Sequence, residues 1–160
     1  MTTPRNPATG PATDPLSNPV RRIDELLTHY GESHQHPTNE LIHYLAIPAI
    51  VFSLIGMLHW IHPYLALGVI AASVVYYARL SNTFMIIMTL GAALCLYVVG
   101  LLGTWLLPAS VGIFVVSWIF QFIGHKIEGK KPSFFEDLQY LLIGPLFVLS
   151  KLFLKLGLKW

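Results

Sequence analysis

The chain has 160 residues, 54% of them hydrophobic and only 11% charged, with a formal net charge of +2. Ordinary soluble domains carry about 25% charged residues, so the composition excludes a soluble domain and points to an all-α integral membrane protein. The single cysteine, Cys95, excludes an internal disulfide, and no nucleic-acid partner is expected.

Residues 1–18, MTTPRNPATGPATDPLSN, are rich in Pro and Thr with no apolar core. They cannot bury enough surface to offset ordering and are expected to form a disordered tail, leaving 19–160 as one membrane domain. The tail also lacks the apolar stretch of a secretory signal, so insertion is expected through the first span itself. Next, NPVRRIDELLTHY places Ile23, Leu26, Leu27 and Tyr30 at helical spacing among charged residues, which predicts a short amphipathic helix on the membrane surface.

Pro37 suits the first turn of a helix, and a first span is expected over about 41–61, kinked at Pro48. Pro63 opens a second over 64–80, which stops at Arg79. A third is expected over 84–107, closed by Pro108, and a fourth over 109–125. Between Ile42 and His125, Arg79 is the sole Asp, Glu, Lys or Arg, so the stretch can hold four crossings of roughly 20 residues each. The expected architecture is a four-helix transmembrane bundle. Beyond it, a helix over about 134–158 has a Gly144-Pro145 break and a basic stripe of Lys151, Lys155 and Lys159. That stripe fits an interfacial helix on anionic lipid, with a re-entrant hairpin as the other reading. Gly91, Ala92 and Gly100 are candidates for close helix packing within or between chains, and the oligomeric state stays open.

Short loops make successive spans alternate in direction. The HWIHPY and LLPAS connections carry no Lys or Arg, whereas Arg21, Arg22, Arg79 and the segment from Lys126 onward share the other side. The positive-inside rule makes that side cytoplasmic, so both termini are expected there, in a bacterial inner membrane or an endoplasmic reticulum according to the organism.

This topology sorts the seven histidines. His59 and His62 flank the turn between the first two spans and read as interfacial residues. His43 and His59 are separated by about 24 Å of helix and cannot share a site. Four crossings, however, return the chain to its starting side, so His125 at the end of the last span meets His43 at the start of the first, with His34 and His36 just outside. Imidazole suits iron, zinc and copper. A metal held by His34, His43 and His125, with His36 or Glu128 completing the set, is one reading, and Asn39, one turn before His43, is placed to orient its ring. Polar residues touching lipid headgroups are the other. Too few histidines share a side for a dense di-iron box, so one ion is favoured over two. C-x-x-C-H is absent, which leaves only a non-covalent haem open.

The segments HYGESHQHPTNELIHYLAIPAIVFSLIGMLH and SWIFQFIGHKIEGKKPSFFEDLQYLLIGPLFVLSKL resemble the Mpo1-like family. The family pattern is a Tyr and His, P-x-N-x-x-x-H, several spans, and W-x-x-Q-F-x-G-H followed by an acid and a basic-Pro pair. The resemblance covers about residues 23–158. It implies an iron(II)-dependent dioxygenase that removes the carboxyl carbon of a 2-hydroxy fatty acid by α-oxidation, a step in sphingoid-base breakdown. It assigns His34, His43 and His125 to the family histidines, with Pro37, Asn39, Trp118, Gln121, Gly124 and Glu128 on the rest of the pattern. Fe(II) is the implied cofactor; O2, the hydroxy acid and the lipid bilayer are the implied partners. A 2-hydroxy acid can chelate through carboxylate and hydroxyl, with its acyl chain among the spans and Gln121 and Trp118 lining the pocket. Lys126, Lys130 and Lys131 would either attract the carboxylate or serve as cytoplasmic anchors. Two other classes remain: a non-catalytic membrane protein binding metal, haem or headgroup through these histidines, and a zinc hydrolase that needs no O2.

Overall fold

The structure, a computed structural model of the chain, describes residues 22–32, 34–129 and 140–157. The expected tail over 1–18, Lys130, Lys131, the first part of the C-terminal helix and Lys159 lie outside the described residues. Among the described residues there are six α-helices and no strand: α1 (Arg22–Gly31), α2 (Pro37–Ile61), α3 (Pro63–Ala78), α4 (Asn82–Leu101), α5 (Leu106–Glu128) and α6 (Gly144–Leu156).

Three helical stretches are long and apolar enough to cross a membrane: α2, α4, and α5 with the 3-10 turn before it. At 16 residues, α3 reaches only about 24 Å against a hydrocarbon core of about 30 Å. It is the shortest of the four expected spans. The break between the last two falls at Leu102 and Gly103, where Gly103 takes a φ of +51°, and not at Pro108. Pro108 lies in the first turn of α5, where a helix has no use for its missing N–H. Pro48 likewise does not interrupt α2, which is helical throughout its 25 residues.

Two His-Pro pairs start helices in the same way. His36 precedes Pro37 and accepts the Thr38 N–H on Nδ1 at 3.2 Å; His62 precedes Pro63 and accepts the Tyr64 N–H at 3.3 Å. The ring nitrogen takes the part a Ser or Asp oxygen usually plays, pairing one of the orphan donors of the first turn.

The central pair is α2 against α5, running antiparallel. At one end Asn39 touches Gly124, and at the other Gly56 meets Leu106 and Ser110. Asn39, Ala46 and Ser53 on α2, and Ser110, Ser117 and Gly124 on α5, are all buried and recur every seven residues. Small side chains at that interval let two backbones approach closely, which is how helices associate where no water drives them together. By contrast Gly91 and Gly100 of α4 have open space around them, so neither packs a helix within the described chain.

Around the histidine end, Ile23, Leu27 and Tyr30 of α1 join Ile47, Tyr77, Phe84, Leu146, Phe147 and Phe153 in one buried cluster. The amphipathic pattern of α1 is therefore met by protein on its apolar face. A second cluster, Ile55, Ala66, Val99 and Leu106, fills the far end. Gly144 and Pro145 begin α6, where Gly144 seats against Ile47. Lys151 reaches Glu40 at 3.0 Å and Lys155 lies over the Tyr44 ring, so two members of the basic stripe engage α2.

Candidate metal centre

Three segments deliver three imidazoles to one point. His34 follows the C-terminus of α1, His43 lies two turns into α2, and His125 is in the last turn of α5. Their exposures are 3%, 0% and 5%, and one ligand nitrogen from each falls within 4.8 Å of the others. The rings meet edge to face, with centroids 4.2 Å apart for His34 and His43, 5.0 Å for His43 and His125, and 5.5 Å for His34 and His125.

Local backbone chemistry sets the tautomers. His34 Nδ1 lies 2.8 Å from the Tyr30 carbonyl, and His43 Nδ1 lies 2.9 Å from the Asn39 carbonyl. A carbonyl only accepts, so both Nδ1 atoms carry the proton and both neutral rings keep their lone pair on Nε2. Metal-ligating histidines are commonly fixed in this manner, with the remote N–H given to a carbonyl or carboxylate. His34 is also stacked on Tyr30 at 4.3 Å and 11°. Three buried nitrogen donors with no thiolate suit a single iron, zinc or copper ion.

The remaining residues expected at the site do different work. His36 is exposed and caps α2, outside the histidine group. Glu128 turns its carboxylate to the segment after α1: Oε1 accepts from the Gln35 N–H at 3.0 Å, and Oε2 from the His36 N–H at 2.8 Å and the Asn39 amide at 3.1 Å. It clamps the end of α5 to the strand of chain that carries His34. The Asn39 side chain belongs to this clamp, while the Asn39 backbone carbonyl orients His43. Gly124 is required beside it, since a Cβ there would collide with Asn39 Oδ1. Gln121 and Trp118 are buried one and two turns before His125 and line a small cavity of about 10 Å³ with Tyr30, Ile47 and Tyr140.

Two participants were not singled out as site residues from the sequence. Tyr30, the Tyr of the family pattern and four residues before His34, supplies both the carbonyl and the stacking face for His34. Tyr140 meets His29, its hydroxyl 3.2 Å from His29 Nδ1, across a sequence distance that no local pattern reveals.

Comparison with known proteins places the chain in a family. The family described as 2-hydroxy-palmitic acid dioxygenase Mpo1-like matches residues 20–156. The chain is 30% identical over 135 residues, 80% of its length and 78% of the relative's, to the Saccharomyces cerevisiae protein named 2-hydroxy-palmitic acid dioxygenase MPO1. No solved structure matches significantly. With a family match that spans all six helices and every residue of the histidine group, the chain belongs to the Mpo1-like family.

Proposed function

We propose that this protein is an iron(II)-dependent dioxygenase that shortens 2-hydroxy fatty acids by one carbon, with the ion held by His34, His43 and His125. The observation that carries the reading is the convergence of three buried imidazoles at one end of an apolar helical bundle, in a chain related to a protein named for that reaction. Bound iron(II) would supply the one-electron chemistry that lets O2 react with a closed-shell acid.

The residues provide the rest. Tyr30 and Asn39 carbonyls fix two rings before any ion arrives, so little ordering remains to be done on binding. All three ligands are neutral, and burying a dication among them leaves its charge uncompensated; a substrate carboxylate supplies the missing negative charge. Tyr30 and Phe147, both buried, have ring centroids 4.3 and 5.9 Å from that of His34 and shield its side of the group from water. In the reaction the bond between C1 and C2 breaks, C2 passes from alcohol to carboxylic acid, and C1 leaves as carbon dioxide. The four electrons released reduce one O2, giving one water and the new acid oxygen, so no further reductant is needed.

The proposed topology has four crossings with both ends in the cytoplasm. In support, Tyr77 and Phe84, on either side of the Arg79 turn, share a core with α1 and α6 at the histidine end, so α3 and α4 each run the length of the bundle.

The test is O2 uptake by protein reconstituted anaerobically with iron(II) or zinc and given 2-hydroxyhexadecanoate, with mass spectrometry of the product. Uptake with iron(II) only, matched by pentadecanoate and lost in His43→Ala, is expected. A folded, iron-loaded protein that consumes no O2 with 2-hydroxy acids of any length overturns the proposal, and conversion with zinc in the absence of O2 replaces it with a hydrolase.

A further inference from the structure

An apolar cavity lies between α2, α3 and α4, away from the histidines. A cavity of about 190 Å³ is bounded by Val51, Leu54 and Leu58 of α2, Ile70 of α3 and Ala92 of α4. Its far end is closed by the second core cluster, with Ile55, Leu58 and Ile70 belonging to both. A wholly apolar cavity of about 150 Å³ in another protein stays dry and takes up benzene; this one is of comparable size and apolar apart from Ser73 and Tyr77, which suits a hydrocarbon.

One line of α2 residues connects this cavity to the histidine group. His43, Ile47, Ile50, Leu54 and Leu58 fall at successive 4, 3, 4 and 4 residue steps, which keeps them on one helical stripe. Ile47 and Ile50 border the small cavity beside Gln121 and Trp118, and Leu54 and Leu58 border the large one. Leu141 stands in the lining of both. It is the partition between them, and the Tyr77 hydroxyl, donating to the Leu142 carbonyl at 3.0 Å, holds its turn in place. From His43 to Leu58 the stripe is about 22 Å long. One leaflet's acyl chains fill half the hydrocarbon core, about 15 Å.

Resting on the dioxygenase reading, we propose that the α2–α3–α4 cavity receives the acyl tail of the substrate, that it is reached past Leu141, and that its closed end at Ile55 and Leu58 sets the longest chain accepted. The polar side chains of the lining are Ser73 and Tyr77, and both hydroxyls are already donated, to the Val69 carbonyl at 2.8 Å and the Leu142 carbonyl at 3.0 Å, so neither opposes a hydrocarbon occupant. The consequence is a length preference, since each methylene excluded from an apolar site lowers binding about fourfold.

Two variants fill the cavity from different helices, Ala92→Phe on α4 and Val51→Trp on α2. In each, the ratio of kcat/KM for 2-hydroxydodecanoate to that for 2-hydroxyhexadecanoate is expected to rise more than tenfold over wild type. Leu94→Trp, on the exposed side of α4, keeps the wild-type ratio. Binding is read separately with 2-hydroxyhexadecanoate carrying a diazirine at its last carbon, photolysed on the iron-loaded protein in nanodiscs without O2. Label on residues 51–58, 69–74 or 92, displaced by unlabelled acid, is the expected result. Label confined to outward residues such as Leu94 or Val115, or undisplaced, overturns the cavity assignment, as does an unchanged ratio in both filled variants. If wild type oxidises no hydroxy acid yet the displaceable label falls in the cavity, the dioxygenase reading fails and the tail site stands.

Discussion

At His43 the two ring nitrogens are committed to different tasks, one to the Asn39 carbonyl and the other to the histidine group. Replacing it, or His34 or His125, by Ala is expected to lower iron affinity more than a hundredfold, beyond the roughly 10–100-fold that outer partners contribute; metal analysis after dialysis measures this. Glu128→Ala removes the clamp and no ligand, so the expected loss is within about 10–100-fold, with the segment around Gln35 newly open to amide exchange. His36→Ala should cost about 1 kcal/mol of stability through the lost cap and leave iron content unchanged. The ordering of these three variants separates ligand, clamp and cap. The grouping of His34, His43 and His125 was legible in the sequence because an even number of antiparallel passes brings both ends of the bundle to one face. The role of Glu128 was not. Its partners include the backbone N–H groups of Gln35 and His36, which every residue but proline possesses, and spacing from His125 alone made it look like a ligand.

The contact between α2 and α5 is set by what its side chains lack. A Cβ at Gly56 would collide with Ser110 Oγ, and overpacking of this kind costs about 1–3 kcal/mol. Gly56→Ala is expected to lower the Tm of the purified protein, and adding Ser110→Gly should recover much of the loss; two independent, additive losses would show that the helices do not meet there. The seven-residue recurrence of Asn39, Ala46 and Ser53 against Ser110, Ser117 and Gly124 stands openly in the sequence. Gly91 and Gly100 of α4 are more conspicuous in an apolar run than Ser or Asn, yet they face open space. Helix ends were legible where His-Pro marked them, and misplaced at Pro108, because a first turn tolerates proline as well as a loop does. The basic stripe of α6 was readable as a pattern, but its partners Glu40 and Tyr44 lie more than a hundred residues earlier. Partly exposed pairs such as Lys151 with Glu40 contribute on the order of 1 kcal/mol, so they orient α6 while Leu146, Phe147 and Phe153 hold it.

For the molecule as a whole, topology can be read with one chemical tool, since Cys95→Ala gives a cysteine-free background. Single cysteines at Glu32 and Ser81 are expected to react with a membrane-impermeant maleimide from the same side, and those at Trp60 and Thr104 from the opposite one. Reaction of Ser81 and Thr104 positions from one side would mean that α4 does not cross. The membrane class and helical content follow from composition, and the overall order of helices from its punctuation; the shortness of α3 follows less directly, since the span expected over 64–80 ends as a helix at Ala78, with Arg79 as its cap. The antiparallel pairing of α2 with α5 also has a consequence for how the protein is made. His34 and His43 leave the ribosome early, and His125 only after the intervening helices, so the three-imidazole group cannot exist on a nascent chain that has not yet inserted α5. On the metal-site proposal, an ion captured there would tie the beginning of the bundle to its end, metal loading would report on completed insertion, and chains starved of metal or truncated before α5 are expected to be the ones that membrane proteases remove.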